Sequence, residues 1–238
     1  MANKVNSKCL VSVSGGLDSI TLLYYCKKKF SEVEAISFDY GSRQNPIEVE
    51  FAKYHCNKLG IKHFVIDLKK VFQNMSNAVL LNEGKVPEGE YKNIDTSNLI
   101  VPFRNGIFLS VCAGLAEAQE CNYIALASHA SDWSCYPDCR PSFTNSMKKA
   151  IKNGTTNSVK LFTPFVNSKN PFTHKLGFLK GEIVKFGFEK LKMTEDDYKN
   201  TYSCYNGGKI HCGKCPTCLE RKEAFEFAGV KDPTTYQN

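Results

Sequence analysis

Val11-Ser12-Val13-Ser14-Gly15-Gly16-Leu17-Asp18-Ser19 is the stretch that decides the fold of this chain. The apolar run over residues 9–13 reads as a buried strand. It breaks at two glycines and restarts as a helix with apolar positions at Ile20, Leu22, Leu23 and Tyr24. Strand, glycine turn and helix start together make an anion site in α/β proteins. Glycine lets the backbone approach a ligand, and the unpaired N–H groups of a first helical turn point at negative oxygens. The lysine of a G-x-x-x-x-G-K-[ST] loop is missing, so the site is of another kind. A plain strand-to-helix turn also uses small residues, but six specified positions after a buried strand favour phosphate. On that reading the N–H groups of Gly15, Gly16 and Leu17 cradle phosphate and the hydroxyls of Ser14 and Ser19 donate to it. Asp18 then holds Mg²⁺ or positions the loop.

Strand and helix patterns alternate onward from this unit. Residues 33–38, 64–68 and 123–127 read as strands, and 46–59 and 105–120 as helices. Residues 74–98 are polar, carry Gly84, Pro87 and Gly89, and read as a long loop or lid. Past Lys160 the pattern weakens, with one helix expected through Leu176, Leu179, Ile183 and Phe186 and another over 220–228. Strands separated by helices imply a parallel sheet covered on both faces, with ligands beyond the carboxyl ends of the strands. Four loops fall there: after Val13, after Phe38, over 101–105 and after Ala127.

A chain of 238 residues suits one α/β domain with a small appendage. No apolar run approaches bilayer length, and the N-terminus lacks the apolar core of a secretion signal, so a cytoplasmic location with reduced thiols is expected. Seven of the eleven cysteines are scattered and read mostly as small buried apolar residues. The other four, Cys204, Cys212, Cys215 and Cys218, form C-x7-C-x2-C-x2-C, which suits a closed tetrahedral Zn²⁺ site. Spacing alone does not separate zinc from an iron–sulfur cluster, although zinc is favoured. Such a metal would pin a segment too poor in apolar residues to pack by itself. The formal charge of +7 falls to +5 with four thiolates around one Zn²⁺, which suits anionic small molecules without singling out nucleic acid.

Ser14-Gly15-Gly16-Leu17-Asp18-Ser19 resembles the pyrophosphate loop of the ATP pyrophosphatase superfamily. With Phe38-Asp39-Tyr40-Gly41, Val101-Pro102-Phe103-Arg104-Asn105, Tyr136-Pro137-Asp138-Cys139-Arg140, Ser203-Cys204-Tyr205 and the cysteine cluster, the set resembles the 7-cyano-7-deazaguanine synthase family over nearly the whole chain. The resemblance implies an α/β, Rossmann-like three-layer sandwich of the adenine nucleotide alpha hydrolase type, with a small C-terminal zinc-bound segment. It implies a nucleotide-binding domain over 1–160 and a helical, zinc-binding region over 161–238 packed on it. The implied reaction joins 7-carboxy-7-deazaguanine and ammonia, with ATP, into a nitrile through an adenylate. Ser12, Val13 and the loop through Ser19, with Phe38, Asp39, Tyr40, Arg104 and Asn105, would bind ATP. His129, Asp132, Tyr136, Asp138 and Arg140 would hold the deazaguanine, and Asp18, Arg104 and Asp132 would be catalytic. A homodimer using Mg²⁺ and Zn²⁺ is implied, with no membrane and no direct nucleic-acid partner.

The chain departs from that pattern twice. Many relatives read Tyr-Gly-Gln-Arg-His where it has Tyr40-Gly41-Ser42-Arg43-Gln44, and others read Gly-His-Tyr where it has Gly89-Glu90-Tyr91. Histidines beside a substrate are natural proton carriers, and nitrile formation must strip protons from an amide. An enzyme that stops at the amide is therefore an alternative. Another is a further pyrophosphate-loop enzyme, such as a tRNA sulfurtransferase or NAD synthetase. A zinc-stabilised nucleic-acid module is a third, resting on Lys209, Lys214, Arg221 and Lys222 near the cysteines.

Overall fold

The computed structural model describes residues 4–75 and 78–237. Its strands are β1 (Val5–Ser12), β2 (Phe30–Asp39), β3 (Lys62–Asp67), β4 (Tyr123–Ala125) and β5 (Lys160–Phe162). They form one sheet in the order β3-β2-β1-β4-β5, with every neighbouring pair parallel. The helices are α1 (Leu17–Lys29), α2 (Asn45–Leu59), α3 (Lys69–Phe72), α4 (Arg104–Ala118) and α5 (Pro141–Gly154). They continue with α6 (Pro164–Asn167), α7 (Lys180–Phe186), α8 (Glu195–Lys199) and α9 (Pro216–Ala228). The expected parallel α/β architecture is present, and its sheet has a topological switch point. After β3 the chain crosses to the far side of β1, so the loops leaving β1 and β4 diverge and leave a crevice.

The strand alternation explains the layers. Cys9, Val11 and Val13 point into a core shared with Ile20 and Leu23 of α1, Ile183 of α7 and Phe225 of α9. Leu10 points into the opposite core, with Leu109 and Cys112 of α4 and Ile151 of α5. Both faces of β1 are apolar because both are covered. Burying each such Leu, Ile or Phe side chain contributes about 1.5–3 kcal/mol. Six of the seven scattered cysteines, all but Cys135, are buried, as small apolar residues are.

Some elements differ from expectation. Residues 141–154 form a helix and 160–162 an edge strand, neither of which was anticipated. The helix expected through Leu176 begins only at Lys180, because Leu176 pairs with Lys169 in an antiparallel bridge. The 74–98 segment carries two short 3₁₀ turns, Tyr91–Asn93 and Ser97–Leu99, while residues 76 and 77 lie outside the described ones. Bilayer length is reached by Ser97–Ala118, whose 22 residues are apolar enough to cross a membrane by composition alone. Its α-helical part is the core helix α4, which buries Leu109, Cys112 and Ala116 against the sheet and carries Arg104 at its start.

Gly15 is held close against α2. Its φ is +96°, and a Cβ there would lie 1.9 Å from the Glu48 carbonyl oxygen. The Gly15 carbonyl also accepts from the Tyr202 N–H at 3.0 Å. Gly15→Ala should therefore destabilise the fold by about 2–4 kcal/mol, a fall in Tm of about 5–15 °C. Thermal unfolding checks this, and an unchanged Tm would mean that the loop is not held as described.

Candidate active site

A cavity of about 210 Å³ opens at the switch point. Ser12 to Ser14 and Gly16 to Ser19 line it from the β1–α1 loop, Phe38 and Tyr40 from the end of β2, and Leu126 to His129 from the end of β4. Arg104 and Asn105 enter from the start of α4. The four expected loops thus meet in one place. Gly15 carries the loop but does not face the cavity.

The loop is internally braced. The N–H groups of Ser14 and Gly15 donate to Ser19 Oγ at 3.1 and 3.3 Å, and the Gly16 N–H donates to Ser14 Oγ at 3.2 Å. Ser19 Oγ in turn donates to the Gly16 carbonyl at 3.0 Å. An anion that takes the loop N–H groups must displace the two serine hydroxyls. The N–H groups of Leu17, Asp18 and Ser19 open α1 and have no partner within the helix, so they give the cavity an electropositive end.

Charge concentrates around Asp18. Its Oδ2 lies 3.4 Å from His129 Nε2 and 3.5 Å from Lys180 Nζ. His129 Nε2 lies equally close, at 3.4 Å, to Asp132 Oδ2, and Lys180 donates to Glu220 at 2.6 Å. Burial works against ionisation of Asp18, but the Lys180 and His129 charges overcome it and hold its carboxyl at about 2. Burial likewise opposes the charge on His129, yet Asp132 and Asp18 lift the imidazole to about 9. Asp132 is raised by burial, against the pull of His129. Asp18 Oδ1 and His129 Nδ1 are buried and, among the described residues, lack a hydrogen-bond partner. Such orphaned atoms in a cavity mark places where a ligand, ion or water completes the set.

Arg104 is aimed by an unusual backbone. Phe103 adopts a left-handed φ of 51°, rare for a bulky residue, and α4 starts directly after it. The Arg104 guanidinium donates to Tyr40 Oη at 3.2 Å. Three tyrosine hydroxyls close this side: Tyr205 contacts Tyr91 at 3.0 Å and Tyr136 at 3.4 Å. Burial raises all three phenols, so they are neutral hydrogen-bonding groups.

The remaining expected residues lie elsewhere. Asp138 accepts from the Asn105 N–H at 2.9 Å and so caps α4, where a carboxylate is favoured by the helix dipole. Arg140 donates to the Trp133 carbonyl at 2.8 Å, and Asp39 pairs with Lys69 at 2.7 Å. None of the three lines the cavity. Lys180, Glu220 and Glu48 do line it and were not foreseen. The apolar pattern of α7 marks Lys180 only as its first residue. That α7 packs on α1, which brings Lys180 to Asp18, is a tertiary fact.

The four cluster cysteines have Sγ atoms within 4.8 Å of one another. A tetrahedral ion with bonds of about 2.3 Å spaces four sulfurs about 3.8 Å apart. Cys212 and Cys218 stand at 4.0 Å, so the set fits one ion with little movement. The Lys214 and Cys215 N–H groups donate to Cys212 Sγ at 3.5 and 3.3 Å, which suits a thiolate. Arg221, counted above among basic residues near the cluster, is fully buried. It donates to Thr201, Ser203 and the Tyr198 carbonyl and is closed off from any nucleic acid.

The family model described as queuosine biosynthesis protein QueC matches residues 8–229. A 7-cyano-7-deazaguanine synthase of Porphyromonas gingivalis is 43% identical over 228 residues, covering 96% of this chain and 96% of that protein. One of Ruegeria pomeroyi is 38% identical over 232 residues, covering 96% of this chain and 94% of that protein. Among solved structures, an NH3-dependent NAD synthetase from Campylobacter jejuni aligns with 55% of this chain and 51% of that chain, at 18% identity and a TM-score of 0.38.

Glu48, on α2, has its carboxyl pushed by burial from 4.5 up to about 8, against the Arg104 charge. An unfolded glutamate ionises near 4.3, so the stability linked to Glu48 is complete below that pH and is lost as pH rises through about 8. Glu48→Gln should match the parent near pH 4.5 and exceed it by about 1–3 kcal/mol at pH 8. Urea unfolding at the two pH values checks this, and an equal difference at both would rule out the buried carboxyl as its source.

Proposed function

Because this chain belongs to the QueC family of queuosine biosynthesis proteins, we propose that it converts 7-carboxy-7-deazaguanine and ammonia to 7-cyano-7-deazaguanine through an adenylated intermediate. The chain is an ATP-dependent ligase of that type. The observation that carries the finer reading is the convergence of a helix start with Lys180, His129 and Arg104 on one cavity. That is a site for a polyanion beside a second anion, which is what activation of a carboxylate by ATP requires.

A carboxylate is a poor electrophile because its leaving group would be oxide. Its oxygen attacks the α-phosphorus of ATP and pyrophosphate departs. Ammonia then adds to the acyl carbon, AMP leaves with the former carboxylate oxygen, and a proton is released. A second ATP activates the amide oxygen, and its departure with loss of the N–H protons leaves the nitrile. In this scheme the loop from Ser12 to Ser19 and the first turn of α1 bind the phosphates, and Phe38 and Tyr40 flank the nucleoside. Lys180 and Arg104 offset the charge that builds between the two anions. Asp18, with its unpartnered oxygen, would hold Mg²⁺, which screens the phosphates. Asp39, Asp138 and Arg140 would act by holding the segments that bear the binding groups. The same reading includes a homodimer in the cytoplasm that works on small molecules and binds no nucleic acid directly.

One observation favours the amide as an alternative end point. Gln44, standing where many relatives have histidine, lines the cavity and is buried, and a carboxamide does not carry protons at neutral pH. Mass spectrometry of the product made with MgATP, ammonium and the carboxylated deazaguanine distinguishes the two, since nitrile and amide differ by one water. The nitrile is expected. An amide as the final product would establish the alternative, and no ATP use with these substrates would overturn the assignment.

The four thiolates would hold Zn²⁺, which would join the 204–218 loop to the start of α9. The purified protein should carry about one zinc per chain. Cys215→Ser should lose it and lower Tm by several degrees. Elemental analysis checks the metal, and iron with visible absorption in its place would exclude zinc.

A further inference from the structure

A second cavity, of about 390 Å³, lies beside the first and is within the range of small-molecule sites. The two share a wall made by Tyr91, Asp132, Tyr136, Lys180 and Glu220. Beyond the wall the outer cavity runs along α9, past Leu219 and Glu223 to Phe227, with Leu179 at the start of α7 opposite. Phe227 is 59% exposed and Leu179 50%, although the buried side of α9 sits in the core. The Phe227 ring lies against Gly181, where a Cβ would meet it at 2.6 Å, so α7 and α9 frame the space closely.

The chemistry of this lining selects one kind of ligand. Leu179, Leu219 and Phe227 give an apolar platform, and carboxylates stand along one side of it. Glu220 is already paired with Lys180 at 2.6 Å. Glu223 sits about 4.5 Å further along the helix axis, away from the inner cavity. A flat ring with N–H donors on one edge and an anion at its other end matches that order. Its donors meet Glu223, its faces rest on the apolar groups, and its anion reaches Lys180, the cation of the shared wall, with Arg104 and His129 beyond it in the inner cavity. We infer that the outer cavity holds the 7-deazaguanine ring, with Glu223 reading the N1–H and exocyclic amine, and with the carboxylate passing the wall toward the nucleotide. This rests on the ligase reading above and moves the ring away from Asp138 and Arg140, neither of which lines either cavity.

The test uses full-length enzyme and two substitutions at exposed positions, where folding is little affected. Glu223→Gln should raise KM for 7-carboxy-7-deazaguanine about 10- to 100-fold and leave KM for ATP within twofold. It should also erase the preference of the parent for this substrate over the analogue lacking the exocyclic amine. Phe227→Ala should raise KM for both ring substrates and keep that preference. An unchanged preference in Glu223→Gln, or KM for ATP rising in step, would overturn the inference while parent turnover leaves the ligase reading intact. A parent enzyme inert with the carboxylated deazaguanine would instead remove the ligase reading and this one with it.

Discussion

The ionised carboxylate of Asp18, held inside the fold between Lys180 and His129, ties the distant parts of this chain to one another. Asp18 belongs to the first turn of α1, His129 follows β4 and Lys180 opens α7. A surface ion pair contributes about 0–1 kcal/mol. Removing one partner from a buried set costs about 3–5 kcal/mol, because the remaining charges are left in a poor solvent. Burial raises the pKa of a carboxyl, and at Asp18 the Lys180 and His129 charges outweigh it. The same contacts that close the fold therefore fix Lys180 and His129 beside the β1–α1 loop.

The C-terminal segment reaches that loop by a different device. Arg221 is fully buried, and its donors go to Thr201, Ser203, the Tyr198 carbonyl and the Asp232 carboxylate. His211 accepts from the Ser203 N–H at 3.0 Å, and burial holds its imidazole down at about 4, so it stays a neutral acceptor. The braced segment then presents the Tyr202 N–H to the Gly15 carbonyl and the Tyr205 hydroxyl to Tyr91 and Tyr136. Cys204 lies between Tyr202 and Tyr205, and Cys215 caps α9, which carries Glu220. A metal on these cysteines would lie one or two residues from groups that line the cavity, so even with no open coordination position it would help to set the shape of that cavity.

The parts legible in the sequence are those set by local rules. The first strand, the glycine turn and α1 announce themselves because the apolar period changes at two glycines, and the buried strand needs no partner to be recognised. Helix α5, Pro141–Gly154, carries the same kind of local signal, with Phe143, Met147, Ala150 and Ile151 on one face behind a proline at its start, so its absence from the sequence reading has no physical cause. Strand β5 is three residues long and carries almost no periodic signal. Asp138 and Arg140, which the motif suggests for a ligand pocket, have contacts no motif encodes: one accepts from the start of α4 and the other donates to the Trp133 carbonyl. Lys180 and Glu48 were illegible for the opposite reason. Their surroundings come from α1, α4 and the 202–205 segment, far away in sequence, and no spacing rule encodes such meetings.

Proton traffic is where the departures of this chain from its relatives bear hardest. Joining ammonia to a carboxylate releases protons, and making a nitrile releases more. The side chains that suit this work exchange a proton near the pH of the solution. Gln44 stands where the family resemblance leads one to expect a histidine, and a carboxamide takes up no proton at neutral pH. The inner cavity nevertheless keeps two groups whose pKa values are lifted to just above neutrality, Glu48 to about 8 and His129 to about 9. They reach those values by opposite routes: burial withholds charge from Glu48, whereas two carboxylates force charge onto His129. One comes from α2 and the other follows β4, so they approach the cavity from opposite sides of β1. In the reaction proposed above, Glu48 and His129 would be the cavity groups suited to take up protons, tuned by their tertiary setting rather than by their type.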